Sequence, residues 1–356
     1  EARERYCAGI RAEYEQVRER TAGRKPRPTL PYAAAVARAL QLDWTQYRPP
    51  VPRQLGVQVL RDYPLAALRD TIDWTPFFIT WSLVGKYPAI FADPVVGEQA
   101  RQLYDDAQRM LDQLIAEGRL KAHGVIGLWP ANRVGADDIA VYTDETRTRE
   151  LARLHHIRQQ AVPNTESDPL LSLADFIAPA ESGVPDYLGG FAVTAGVEAD
   201  EIAAEYRARG DDYNAILVKA LADRLAEAFA EHLHQRVRKE FWGYAPDEAL
   251  DNEALIRERY RGIRPAPGYP ACPDHTEKRA LFALLDADRN ADIHLTENWA
   301  MHPAASVSGW YFSHPQARYF NTGKIQRDQA EDLARRKGIA LDELERELNS
   351  ILGYEP

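Results

Sequence analysis

From Leu217 to Phe241 the sequence places an apolar residue at every fourth position: Leu217, Leu221, Leu225, Phe229, Leu233, Val237 and Phe241. An α-helix turns about 100° per residue, so each step of four overshoots one turn by about 40° and the apolar stripe winds around the helix. Such a helix buries different faces at its two ends, which suits the middle of a body better than its surface. Asp211 and Asp212 supply a cap and a first-turn acid, and Gly243 a stop. The spacing therefore predicts a long central helix over 213–241.

Short apolar runs bounded by Gly, Pro, Asn or Asp read as strands: Gly124–Trp129, Ile139–Tyr142 and Phe191–Thr194. Helical patterns do not alternate strictly with them, which favours a mixed or antiparallel α+β arrangement over a doubly wound parallel sheet. Further helices are read over 1–21, with a narrow stripe of Tyr6, Ile10, Tyr14 and Val17, over 326–337 before Gly338, and over 341–352. Between Gly23 and Pro31 lie Arg24, Lys25 and Arg27 with Pro26, Pro28 and Pro31, a stiff polar connector. The division expected is a helix and Pro/basic linker over 1–42, leading from an upstream domain, and one body over 43–356.

Several function classes lack support. The 356 residues carry 44 Lys+Arg against 54 Asp+Glu, a net charge of −10, without the basic footprint of a nucleic-acid or anionic-lipid binder. No apolar stretch approaches the ~20 residues that span a bilayer. Cys7 and Cys272 build neither a disulfide framework nor a zinc ribbon, which points to a reducing cytoplasm. Starting at Glu1, with Met110 and Met301 as its methionines, the chain reads as a piece of a longer protein. Signatures of P-loop, Rossmann, α/β-hydrolase and zincin sites are missing. The pairs His155-His156 and His232/His234 have spacings that face apart on a helix, and no metal site is expected from them. Asp286, Asp288, Asn290, Asp292, Ile293 and Glu297 match an EF-hand spacing, but Ala291 stands where that loop needs glycine, and the segment reads as a solvated turn.

Three features suggest binding. Pro265, Pro267, Pro270 and Pro273 stiffen Arg264–His275 into a backbone that stops helix and central strand, leaving main-chain groups for a ligand edge or simply a structural loop. Within it Gly268 permits a positive φ, Tyr269 offers a ring face, and Arg264 suits a carboxylate. Asp223, Glu227 and Glu231 line one face of the long helix, a solvated acidic stripe or a partner for something cationic. Aromatic clusters over 73–78 and 309–315 each carry polar neighbours. Together these describe a binder of a small zwitterion or cation with a flat ring.

The segments IDWTPFF (Ile72–Phe78), GKYP (Gly85–Pro88), PANRVG (Pro130–Gly135), DETRT (Asp144–Thr148), KALADRLAEAFAE (Lys219–Glu231), GIRPAPGYPACPDHTEK (Gly262–Lys278), SVSGWYFSHP (Ser306–Pro315) and IQRDQ (Ile325–Gln329) are unusual, and nearly the whole chain resembles the C-terminal reactivation domain of cobalamin-dependent methionine synthase. The resemblance implies a C-shaped α+β domain with a bent, mainly antiparallel sheet, a long central helix and flanking helices. It implies S-adenosylmethionine bound outside any Rossmann fold, and its methyl passed to cob(I)alamin after a flavodoxin-like protein has reduced the oxidised cofactor. The parent would be a methyltransferase (5-methyltetrahydrofolate-homocysteine methyltransferase); its homocysteine, folate and cobalamin sites belong to other domains, so this chain alone is not expected to make methionine. Carried over from the family, the ligand contacts fall on Asp73, Glu227, Arg264, Ala266, Tyr269, Tyr311 and Phe312. Asp223 resembles the position that meets the displaced cobalt-ligating histidine of the cobalamin domain, and a further acidic docking partner of the family is Ala199 here. The alternative expectation is a module that only docks the reductase and the cobalamin domain.

Overall fold

The computed structural model describes residues 2–22, 27–163, 165 and 167–356, so Arg24, Lys25 and Pro26 of the predicted connector lie outside the described residues. The expected α+β class holds. Strands β1 (Gly56–Tyr63), β2 (Ala122–Val134), β3 (Asp138–Tyr142), β4 (Glu150–His155), β5 (Asp186–Thr194) and, after the short pair β6 (His294–Leu295) and β7 (Met301–His302), β8 (Ser306–Tyr311) form antiparallel ladders. The main sheet runs β4-β3-β2-β5-β8, with β1 also on β2. One edge of β2 changes partner along its length, from β1 up to Leu128 to β3 from Ala131 onward. Pro130, which has no N–H for a ladder, falls in the gap between them.

Both faces of the central strands β2, β3 and β5 are buried, and alternate residues of the sheet feed two cores. Ile126, Leu128, Phe191, Val193 and Tyr311 meet the long helix on one side. Val125, Trp129, Leu188, Ala192, Trp310 and Phe312 meet Leu281, Phe282 and Leu285 on the other. Burial on both faces is why these strands appear in sequence as continuous apolar runs.

The long helix spans Asp212–Arg236 and continues through a π-type turn, Val237–Phe241, before Gly243 at φ +79°. Asp211 caps it by accepting the Asn214 N–H at 3.0 Å. Every residue of the winding stripe is buried, and the helix packs against β5, β8, Ala199–Ala208 and the 3-10 segment Leu65–Thr71. The other predicted helices form over Ala2–Ala22, Arg327–Lys337 with Gly338 in the left-handed region, and Leu341–Glu347 followed by a 3-10 turn at Asn349–Ile351. Residues 28–42, grouped by the sequence reading with the linker, are hydrogen-bonded into the body: the Val162 N–H donates to Pro28 O (2.8 Å), the Leu30 N–H to Gln160 O (2.8 Å), and the Tyr32 hydroxyl to Asp137 (2.6 Å).

The EF-hand spacing folds into a helical turn, Ala287–Ala291, with Asp292 paired to Arg61 at 2.7 Å. Among the described residues no group of three or more His, Cys, Asp and Glu side chains is placed to hold a metal ion, and no helix is long and apolar enough to cross a membrane.

His156 is buried beside Phe312, and no described residue bonds either ring nitrogen. Burial pushes its pKa down to about 4. A histidine whose folded pKa lies below its unfolded value favours folding above about pH 6.5 and loses that contribution as pH falls toward 4. His156→Leu, which leaves no polar atom orphaned, should therefore gain about 2 kcal/mol over wild type on going from pH 7 to pH 5. Urea denaturation at the two pH values measures this, and a difference independent of pH would contradict it.

Candidate functional site

The long helix and the Pro-rich segment meet over a cleft of about 460 Å³. Glu227 faces it from the helix; Arg264, Ala266, Pro267, Tyr269 and His275 line it from the segment that follows. Ser306 and Ser308 of β8, together with Tyr319, Phe320, Glu258 and Lys278, complete the walls.

The Pro-rich segment is not the unpaired extended backbone that its prolines suggest. Ile263 exchanges both main-chain bonds with Phe312 at 3.0 Å, and Pro265 O accepts the Trp310 N–H at 2.9 Å, so its start continues the sheet beside β8. It then closes on itself: the Gly268 N–H donates to Cys272 O (2.7 Å), the Cys272 N–H to Tyr269 O (2.9 Å) and the Tyr269 N–H to Ala266 O (3.1 Å). The Ala266 N–H finds no acceptor among the described residues. Gly268 has φ +98°, and a Cβ there would overlap the His275 ring. Gly268→Ala should cost about 1–3 kcal/mol from backbone strain alone and displace Tyr269 from the cleft. Chemical denaturation checks it; an unchanged midpoint would contradict the tightness of this turn.

Charge in the cleft is arranged around Arg264. Its Nη1 lies 2.8 Å from Glu231 and donates to the Tyr260 hydroxyl at 2.6 Å, with His234 Nδ1 at 3.4 Å. Its main-chain N–H donates to the Tyr319 hydroxyl at 3.0 Å. Glu231, His234 and Arg238 follow Glu227 along one helix face at helical spacing. The cation expected to relieve this acidic stripe is thus Arg264, and it engages Glu231. Burial raises the pKa of Glu227, with Arg224 and Arg264 working against that rise. The carboxylates of Glu227 and Glu258 have no hydrogen bond or ion pair to any described residue. Both present free carboxylates to the cleft.

Of the residues that sequence reasoning singled out, Glu227, Arg264, Ala266 and Tyr269 come together here. Tyr311 and Phe312 do not. Both are fully buried: Tyr311 stacks between Phe191 (4.7 Å) and His234 (5.1 Å), and Phe312 lies in the opposite core. The tyrosine-phenylalanine pair that lines the cleft is Tyr319-Phe320, eight positions on from the carried-over pair. Asp73 also lies outside the lining; it accepts the Thr75 N–H at 3.0 Å, near the point where the Thr71 hydroxyl reaches Ala228 O on the long helix (3.1 Å). Asp223 pairs with Arg224 at 2.5 Å and shares a separate shallow depression with Ala199.

Glu258, Tyr260, Tyr319 and Phe320 were missed. Glu258 sits at φ +53°, a conformation that no sequence signal announces. Tyr319-Phe320 follows the aromatic cluster through a turn that brings the Thr322 N–H to Pro270 O (2.9 Å), under the Pro-rich segment.

The family model described as vitamin B12 dependent methionine synthase, activation domain, matches residues 64–338. A crystal structure of the MetH reactivation domain bound to AdoHcy is similar to this chain at 56% sequence identity and a TM-score of 0.89, over 92% of this chain and 100% of that one. This chain belongs to the activation-domain family of vitamin B12-dependent methionine synthase.

Proposed function

We propose that the cleft binds S-adenosylmethionine and that the chain presents its methyl to cob(I)alamin held by a neighbouring domain of the same protein. One observation carries this: two free carboxylates, Glu227 and Glu258, share a small cleft with one guanidinium, Arg264, beside the rings of Tyr269, Tyr319 and Phe320. Arg264 suits the methionyl carboxylate, the free acids suit ammonium and sulfonium, and the rings with the Ala266 N–H suit adenosine. The relative's bound AdoHcy is the sulfide left when such a sulfonium loses its methyl.

In this reading an external flavodoxin-like reductase gives one electron to cob(II)alamin. Cob(I)alamin, held by the neighbouring domain, would supply the nucleophile, the methyl exchanging its S–C bond for a Co–C bond while the S–C electron pair stays on sulfur. The residues of this chain hold and orient the sulfonium and perform no proton transfer. Asp223, in the depression beside Ala199, belongs to the surface that meets the cobalamin domain. The work is cytoplasmic, with both cysteines free, and methionine formation needs the remaining domains.

Calorimetry tests the reading. S-adenosylmethionine should bind in the micromolar range, ~−8 kcal/mol. Glu227→Gln should weaken S-adenosylmethionine more than S-adenosylhomocysteine, by about threefold to tenfold, because the sulfide carries no charge for that carboxylate to attract. Absence of both heat and thermal shift would leave the alternative, a module that only docks the reductase and the cobalamin domain.

A further inference from the structure

Arg264 is gripped at one corner only. Its Nη1 donates to the Tyr260 hydroxyl (2.6 Å), lies 3.4 Å from His234 Nδ1 and is ion-paired with Glu231 Oε2 at 2.8 Å, while no described residue accepts from Nε or Nη2. Neither Nε nor Nη2 is among the enclosed polar atoms without a partner, so both keep accessible surface on a residue that lines the cleft. Nε–H and Nη2–H are the parallel pair with which a guanidinium receives a carboxylate through two bonds at once.

Tyr260 is itself held. The Arg238 guanidinium lies over its ring at 4.1 Å and the His234 ring meets it edge-on at 4.8 Å. Arg238 is fixed in turn by two 2.7 Å bonds to Glu248 and stands on the π-type turn that closes the long helix. Such turns often re-aim side chains at functional sites. A chain of contacts thus runs from the helix end through Arg238 and Tyr260 to Arg264, and none of it past Arg264 lines the cleft.

We infer that Tyr260 is a positioning residue: its hydroxyl pins Arg264 Nη1 so that the Nε/Nη2 edge is presented, already oriented, to the carboxylate of the ligand. Glu231 supplies the counter-charge at the same corner, but its own charge also repels an incoming carboxylate. The tyrosine hydroxyl orients without that opposition. This inference rests on the reading of the cleft as an S-adenosylmethionine site.

Two probes separate orientation of Arg264 from general damage: S-adenosylhomocysteine, which has the carboxylate, and 5′-methylthioadenosine, which lacks the whole amino-acid moiety. Tyr260→Phe keeps the ring between Arg238 and His234. Calorimetry should find S-adenosylhomocysteine weakened about fivefold and 5′-methylthioadenosine changed by about twofold at most, the size of one lost neutral hydrogen bond. In an Arg264→Ala background the same substitution should have no further effect on S-adenosylhomocysteine. Equal weakening of both probes, unchanged S-adenosylhomocysteine affinity, or an undiminished effect without Arg264 would each overturn the inference. Wild type binding neither probe would remove the ligand reading and this inference with it. Wild-type binding with a flat Tyr260→Phe result removes the inference alone.

Discussion

Arg158→Ala should destabilise the domain by about 3–5 kcal/mol, the cost of leaving buried charge without its partner. Arg158 has no exposed surface, and its guanidinium bonds Asp137 (2.6 Å), Asp175 (2.7 and 2.8 Å) and the carbonyls of Leu170 (2.7 Å) and Ala136 (3.2 Å). Two other pieces of chain therefore converge on this side chain of the segment after β4: the turn between β2 and β3, and Leu170 together with the 3-10 turn Leu173–Phe176 that carries Asp175. Asp137 and Asp175 are both buried, and without Arg158 they keep only the Tyr32 hydroxyl on Asp137 (2.6 Å) and, on Asp175, the Ser172 N–H (3.0 Å) and the more distant Arg133 (3.4 Å). Adding Asp137→Asn and Asp175→Asn to the alanine variant should recover part of the loss. A deficit below about 1 kcal/mol in urea denaturation would show that the carboxylates find other partners.

Residues that answer to their chain neighbours were legible in the sequence; those that answer to distant ones were not. The central helix could be read because its cap, stripe and stop are all local, and Asp211, Leu217–Phe241 and Gly243 occupy their expected places. The mixed or antiparallel α+β class followed from helical patterns that do not alternate strictly with the strands. The Pro-rich segment shows the limit. Its prolines forbid helix, but the bonds of Ile263 and Pro265 go to β8, about fifty residues away in sequence, and spacing carries no trace of that pairing. The two tyrosine-phenylalanine pairs show it again. Tyr311 pairs with Gly189 in the β5–β8 ladder, where the missing side chain leaves room for its ring, and this register buries it. Tyr319 lies beyond the strand and folds back to the main chain of Arg264. Glu231 was visible as an acid on the right face, yet its partnership with Arg264 depends on how the sheet and the helix cross.

Arg264→Ala should weaken S-adenosylhomocysteine by about thirtyfold or more, equivalent to about 2 kcal/mol for a charged hydrogen-bond partner lost from a partly enclosed site. The structure adds a complication. The same substitution removes the partner of Glu231, which is buried and whose other oxygen already lacks one. Burial raises the pKa of Glu231, and Arg264 is the first group opposing that rise. Without the guanidinium Glu231 should take up a proton more readily, so the alanine variant loses stability as pH rises above the ordinary carboxylate value. Any loss of affinity would then mix a missing ligand contact with a weakened helix face. Glu231→Gln separates the two, because a neutral amide has no charge to strand. In the double variant Arg264→Ala/Glu231→Gln, the thermal midpoint should return toward wild type while S-adenosylhomocysteine stays weak. Recovery of affinity along with stability would mean that Arg264 supports the cleft without touching the ligand, and would send the search for the carboxylate partner to Lys278, the other cation in its walls. Persistent weakness in a restored fold leaves the guanidinium edge as the carboxylate receptor.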